Sequence, residues 1–347
     1  MTYRIQNTGE HYYKQKISLS EGAQIYGHLR NTVVSAGLLD RNYPFYILHT
    51  GIDFTGLVIC LVFFILLKNV FWLLLLSAGI AFFMVKIGGL VHDAGHRAVF
   101  KSNWANDIYG YLLSTFIVFP YYAWKIKHNA HHAHTNQEEG DPDLDIPFEF
   151  LEDAPPPEKG LKRLIHKYQV YLYYPIGSLV SISTRLNAFY YYNGRFSYKI
   201  TGVMVLQAVG LFVYYVLPFL VFPFWKAFLF LVIVNELQGF YLLNIFAPNH
   251  KGMPQVGRDV KLSFIEQQII TSRNVLPHWL TDYLYLGLNY QVEHHLFPNC
   301  PRPQLRKISP YVKKVCKQYH LPFVEMGVIA STKFIFSELK KASRQVD

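Results

Sequence analysis

Val70-Phe-Trp-Leu-Leu-Leu-Leu-Ser-Ala-Gly-Ile-Ala-Phe-Phe-Met-Val-Lys-Ile-Gly-Gly-Leu-Val91 runs without a break into His92-Asp-Ala-Gly-His96. The apolar part is close to the ~20 residues that a helix needs to cross hydrocarbon. Residues at i and i+4 share a helix face, ~6 Å apart along the axis. His92 and His96 therefore point the same way, at the end of a membrane span.

Working outward, another apolar block runs from about His49 to Leu67, and only Lys68 and Asn69 separate the two. A break that short allows only a tight helical hairpin. A second pair follows, Ile200 to about Leu220 and about Trp225 to Phe246, with Pro218 and Pro223 marking the turn. Between the pairs, Ile108–Trp124 is apolar but carries Tyr109, Tyr111, Pro120, Tyr121 and Tyr122, and reads as buried or interfacial. Lys159–Asn193 is Tyr-rich and amphipathic, which suits the headgroup boundary. Glu152–Gly160, with three successive prolines, reads as an exposed linker.

The composition agrees. Of 347 residues, 51% are hydrophobic and only 16% charged, whereas soluble domains carry about 25% charged residues. That excludes disorder, a fibrous chain and an ordinary cytosolic globule. Cys60, Cys300 and Cys316 form no C-x-x-C and no even framework, so a disulfide scaffold is not expected and the wet part faces a reducing space. The first 45 residues hold no short apolar core ahead of a small-residue cleavage site, so no removable signal peptide is expected.

Positive charge sets the orientation. Residues 1–50 hold five Lys/Arg, 92–199 hold eleven and 251–347 hold fourteen. Four spans put all three segments on one side, the cytoplasm, in a bacterial inner membrane or the endoplasmic reticulum. The net charge of +10 makes that face attractive to anionic headgroups, phosphate-bearing substrates or an acidic protein. The expected fold class is all-α integral membrane, with four transmembrane helices in two hairpins and a cytosolic histidine-rich cap. As a single domain, residues 1–47 form a cytosolic N-terminal segment and 48–91 the first hairpin. Residues 92–199 and 248–347 make up the cap, and 200–247 the second hairpin.

Two further clusters match the first. His128-Asn-Ala-His131-His132 and Gln291-Val-Glu-His294-His295 repeat the helical spacing, and His250 sits just past the fourth span. All fall on the side assigned to the cytoplasm, next to the bilayer. Neutral imidazole binds iron, copper and zinc. Eight histidines are too many for one ion, whose octahedral shell takes six donors, so two ions share the set. No Cys pair lies nearby, which excludes a cysteine-type structural zinc site. Nitrogen ligands with openings for oxygen suit iron, while copper and zinc stay open on spacing alone. His134 turns off the helix face, and His11, His28, His49, His166, His278 and His320 receive no role.

These residues resemble the membrane fatty acid desaturases. The H-x-x-x-H, H-x-x-H-H and Q-x-x-H-H boxes occur in that family's order around two hairpins, and the local wording is close. Examples are Gly89-Leu-Val-His-Asp-Ala-Gly-His96, Trp124-Lys-Ile-Lys-His-Asn-Ala-His-His132 and Leu288-Asn-Tyr-Gln-Val-Glu-His-His-Leu-Phe-Pro298. The likeness spans roughly residues 45–320. It implies a di-iron centre with O₂ as co-substrate, ligated by His92, His96, His128, His131, His132, His250, His294 and His295, and insertion of a double bond into a long acyl chain. Gln291 departs from the commoner third box, which starts with His, and resembles the front-end and some bacterial acyl desaturases. Its amide oxygen has three readings: direct ligand, holder of a water ligand, or neither. Asp93, Asn129 and Glu293 lie between ligands, where they either orient imidazole N–H groups or face solvent. The sequence contains no H-P-G-G haem motif and no G-x-G-x-x-G, so the likeness implies electrons from a separate haem cytochrome or ferredoxin with its reductase.

An unactivated methylene needs an oxidant that iron and O₂ supply and a side chain does not. The acyl chain, as acyl-CoA or acyl-lipid, should lie in an apolar tunnel with membrane lipids around it; no nucleic-acid partner is expected. Glu236 lies inside the fourth span, where an ionisable group is costly and often functional. It either pairs with a neighbouring helix, the favoured reading, or marks a bend of the tunnel. The alternatives in function are a related di-iron lipid hydroxylase or acetylenase, a sphingolipid or carotenoid oxygenase, and, less favoured, a histidine-rich metal transporter. Transport would want polar ligands along the spans, whereas these collect at one face.

Overall fold

The computed structural model describes residues 2–4, 12–14, 17–144, 159–192 and 198–344. Most of the expected linker 152–160, and His11, lie outside them. Two short strands, β1 (Thr2–Arg4) and β2 (Tyr12–Lys14), pair antiparallel. The helices are α1 (Leu19–Ser35), α2 (Tyr43–Leu66), α3 (Val70–Gly95), α4 (Asn103–Phe116), α5 (Tyr121–Ala133), α6 (Leu161–Gly177) and α7 (Val180–Tyr192). They continue with α8 (Tyr198–Leu211), α9 (Leu217–Val221), α10 (Phe224–His250), α11 (Phe264–Ile270), α12 (Trp279–Leu284), α13 (Gln291–Leu296), α14 (Arg302–Gln318) and α15 (Val328–Ser343). A parallel pair, β3 (Arg273–Val275) and β4 (Val324–Met326), lies among the last of these.

Helix starts follow local chemistry. Ser18, Asn42, Asn69 and Ser102 each accept a backbone N–H of the helix that follows, satisfying a donor that has no partner within the helix. Asn69 thus ends the break at Lys68 and begins α3.

The chain divides into two compact units. The first comprises Met1–Asp40, Lys127–Ile176 and Asn244–Asp347, and the second Arg41–Ile126 and Gly177–Leu243. The second unit carries the apolar helices. Four helical runs are long and apolar enough to cross a membrane among the described residues: Tyr43–Leu66, Val70–Gly95, Met204–Val221 and Phe224–His250. Their inner faces bury Leu57, Phe64, Leu73, Ile80, Phe230 and Val234 in one cluster. Their outer faces leave Leu66, Phe71, Leu75, Leu220 and Val221 exposed, as a lipid-facing surface requires. This is an all-α integral membrane fold. Lys226 Nζ donates to the carbonyl oxygens of Leu67 at 3.1 Å and Ile65 at 3.4 Å, closing the end of α2.

Two details differ from the sequence reading. Pro218 does not mark the turn; it lies in α9, after a π-turn over Phe212–Val216 that takes up the hydrogen-bond register its missing N–H would disturb. The turn is at Phe222 and Pro223. The fourth helix also continues past Phe246 to His250, so His250 sits on its last turn and not beyond it. Glu236 finds its partner in Ser178, whose hydroxyl donates a short hydrogen bond to Oε2. Gly239, one turn along, lies against the Ser178 carbonyl, where a Cβ would clash with backbone.

The first unit is built around α1, α11, α13 and α14. Ile25, Leu29, Ile265, Val292, Leu296, Leu305, Ile308 and Val312 form its buried core. Tyr26 on α1 donates from its hydroxyl to the Leu296 carbonyl at the end of α13, at 2.9 Å. The short helix α13 is wholly buried, which is how six residues hold a helical conformation that would be marginal alone.

Candidate metal centre

In the second unit, His92 occupies the last turn of α3 and His96 caps it. Their ring centroids are 4.6 Å apart, as the i, i+4 spacing predicts. His92 Nδ1 lies 3.3 Å from Asp93 Oδ1, while the Tyr46 hydroxyl donates to Asp93 Oδ2 at 3.1 Å. Asp93 thus holds His92, with Tyr46 holding Asp93. The glycine of this box also has a cause: a Cβ on Gly95 would stand 2.6 Å from the Trp124 ring.

In the first unit, His128, His131, His132, His250, His294 and His295 come together from α5, α10 and α13. The ligand nitrogens of His131, His250 and His295 all lie within 4.8 Å of one another. The His132 and His295 rings stack with centroids 4.2 Å apart. His128 Nε2 is 3.2 Å from His132 Nε2, and the His128 and His294 centroids are 6.4 Å apart.

Each of the three clustered imidazoles has its Nδ1 engaged by an acceptor. His131 Nδ1 is 2.8 Å from Asp141 Oδ2. His250 Nδ1 is 3.0 Å from the Thr271 carbonyl oxygen, and His295 Nδ1 is 2.8 Å from Gln268 Oε1. An Nδ1 that donates leaves Nε2 with the lone pair, which is the form that ligates a metal. Burial alone would lower the pKa of His131, but the Asp141 hydrogen bond and the charges of Asp143 and Asp141 outweigh it and raise it. The same carboxylates place negative charge where a cation would sit.

Gln291 joins this group. Its Nε2 is 2.8 Å from His250 Nε2, and its Oε1 accepts from Asn249 Nδ2 at 2.9 Å. The other polar residues named between the box histidines behave differently. Asn129 is exposed. Glu293 is fully buried and bonds not to an imidazole but to Asn274 Nδ2, at 2.7 Å, and to Ser309. Burial raises its pKa against the pull of those bonds. His134 is exposed and bonds Gln137, His166 bonds the Ala342 carbonyl, and His278 caps α12.

The supporting residues were not evident from spacing. Thr271, Arg273 and Asn274 lie in a short polar run with Gln268 on α11 just before it, and all four are buried. Thr271 holds His250 through its carbonyl. Arg273 donates from Nε to the Pro248 carbonyl at 2.6 Å and from Nη2 to the Lys251 carbonyl at 3.0 Å, capping the end of α10. Asn274 accepts the Val292 backbone N–H at 2.9 Å and donates to Glu293, fixing α13. Asp141, ten residues beyond His131, also accepts the Asn136 backbone N–H at 2.8 Å. The signals available were the Asp141-Pro-Asp143 pair and a polar run closed by Val275.

A family model described as "Fatty acid desaturase" matches residues 67–327. The chain belongs to the fatty acid desaturase family. It is therefore an oxidoreductase, and its histidine clusters fit a metal site. Among its relatives is the "Delta(5) fatty acid desaturase fat-4" of Caenorhabditis elegans, 30% identical over 89% of this chain and 72% of that protein. The "Delta(8)-fatty-acid desaturase" of Euglena gracilis is 28% identical over 88% of this chain and 75% of its own length. The "Acyl-lipid (9-3)-desaturase" of Physcomitrium patens is 28% identical, over 74% of this chain and 50% of that protein.

Proposed function

We propose that this chain is an O₂-dependent fatty acyl desaturase that inserts a double bond into a long acyl chain, held as acyl-CoA or acyl-lipid, at a two-iron centre facing the cytoplasm. The observation that carries the reading is the convergence of His131, His250 and His295, each with its Nδ1 tied to an acceptor, which leaves the lone pair on Nε2. That donor set fits one iron, with Gln291 beside it. His128, His132 and His294 fit the second, together with His92 and His96 on the strength of the family's box order.

Bound iron with O₂ supplies the oxidising power that an unactivated methylene demands. What the chain supplies is orientation and charge. Asp141, Gln268 and the Thr271 carbonyl keep each Nδ1–H engaged, so the rings hold one tautomer and one direction. Arg273 and Asn274 hold the backbones that carry His250 and the third box.

The electron count requires a partner. Reducing O₂ to two waters takes four electrons, and removing two hydrogens from the acyl chain gives two. The other two come from an external carrier, a haem cytochrome or ferredoxin with its reductase. The basic surface suits an acidic one; α14, packed behind the third box, exposes Arg306, Lys307, Lys314 and Lys317 and contains no acidic residue.

The test is expression in a host with a compatible reductase, followed by mass spectrometry of its lipids. New double bonds are expected, with the Delta(5) and Delta(8) positions named for relatives the first to inspect. New hydroxyl groups without new unsaturation would overturn the desaturase reading in favour of a hydroxylase. No product across several acyl lengths would overturn both.

A further inference from the structure

Asn249 is fully buried on the last turn of α10, next to His250, and among the described residues its side chain bonds only Gln291, with Nδ2 donating to Oε1. Gln291 in turn has Nε2 2.8 Å from His250 Nε2. The tautomer of His250 fixes the sense of that contact. Its Nδ1 faces the Thr271 carbonyl, which only accepts, so Nδ1 carries the hydrogen and Nε2 the lone pair. Gln291 therefore donates to the very lone pair that would bind a metal.

Both partners are primary amides. If each turns half a revolution about its terminal bond, N–H and C=O exchange places and the pair keeps its hydrogen bond. In the turned arrangement Gln291 donates to Asn249 Oδ1 and presents its own Oε1 toward His131, His250 and His295. A cation shared by those histidines would take up the His250 lone pair, repel the NH₂ end and attract the carbonyl oxygen.

We propose that Asn249 and Gln291 form a coupled amide pair, in which Asn249 is the positioning residue that lets Gln291 turn its carbonyl oxygen onto the ion held by His131, His250 and His295. The inference rests on the two-metal reading above and settles the role of Gln291 as direct ligation. A lone glutamine would lose a buried hydrogen bond on turning. With Asn249 opposite it, the bond between the two amides survives the turn, and Asn249 has one buried amide atom without a hydrogen-bond partner in either arrangement, so turning adds no new unsatisfied group.

The test uses the full chain in detergent, loaded with cobalt(II) as the probe metal, with three readouts: metal per chain, release rate into a chelator, and the cobalt ligand-field spectrum. Gln291→Leu is expected to release one ion about ten-fold faster, the lower end of what loss of a supporting contact costs, and to shift the spectrum. Asn249→Leu should match it, and the double variant should be no worse than either single one, because both changes remove the same bond. Asn249→Asp offers only acceptors, so it locks the Gln291 oxygen toward the ion and should keep wild-type release and spectrum. Wild-type release and spectrum in both leucine variants, or additive effects in the double one, would overturn the inference while the two-metal reading stands. If Asn249→Leu fails to fold, a shifted spectrum in Asn249→Asp overturns it. A wild-type chain that takes up no metal overturns the functional reading and this inference together.

Discussion

Asp141 Oδ2 stands 2.8 Å from Nδ1 of His131, and the same oxygen accepts the backbone N–H of Asn136. One carboxylate thus fixes both the direction of an imidazole and the turn that follows its helix. Asn136 has φ +51°, a conformation that asparagine tolerates better than most residues. The turn is further tied down by hydrogen bonds between residues 136–138 and Val256.

Replacing Asp141 should therefore weaken metal binding while the protein still folds. Asp141→Asn removes the charge and leaves a poorer acceptor for Nδ1–H. Loss of such a partner costs roughly 10–100-fold in affinity. The check is metal retained per chain against a graded chelator, with thermal stability measured in parallel. An unchanged affinity would mean that His131 is held in place without Asp141.

Arg273 should matter for stability more than its position in the sequence promises. It is wholly buried, caps two carbonyls at the end of α10 and stands 5.2 Å from the Phe334 ring. Burial pulls its pKa down to about 10, so it stays charged at neutral pH. Arg273→Met keeps much of the volume but leaves both carbonyls buried without their donor, at a cost of about 2–4 kcal/mol. Thermal unfolding in detergent should show a clear drop in midpoint, along with weaker metal retention through the loosened His250. Arg273→Lys should recover only part of both, because a lysine lacks the planar fork.

The spans and the box residues were legible because they depend on local periodicity. Twenty apolar residues read as a span anywhere, and His92/His96 or His128/His132 show their shared face at i, i+4. Gln268, Thr271, Arg273 and Asn274 were not legible, because their burial is imposed by partners far away in the sequence. Glu293 was not legible for the same reason. Its place between the box histidines left two readings, orienting an imidazole or facing solvent, while packing buries its carboxyl against Asn274 and Ser309. The tautomer of His250 was not legible, since the Thr271 carbonyl that fixes it is 21 residues away.

The Ser178–Glu236 contact predicts a steric limit. Gly239 on α10 admits the Ser178 carbonyl so closely that no Cβ fits. Gly239→Ala should force the backbone segments apart and break the Ser178 hydrogen bond to Glu236. Such overpacking costs about 1–3 kcal/mol or more. Lower yield of folded protein and a reduced melting midpoint are expected. Gly202, which has nothing near its Cβ position, is the control, and Gly202→Ala should leave both unchanged.

Acid sensitivity should trace in part to Asp107. Its Oδ1 takes hydrogen bonds from Arg97 at 2.7 Å and Lys125 at 2.8 Å, joining the residue after the first box to α5. Burial raises its pKa, but the hydrogen bonds and charges of Arg97 and Lys125 outweigh this and hold it below the usual carboxylate value. A carboxyl depressed in the folded state contributes stability above its unfolded pKa and loses it as the pH falls through the folded one. With the pair about one-third exposed, the contribution is about 1 kcal/mol at neutral pH after allowing for solvent screening. Asp107→Asn should lower the melting midpoint at pH 7, and its difference from wild type should shrink toward zero as the pH drops below about 4. A difference that persists unchanged in acid would show that Asp107 acts through packing and not through charge.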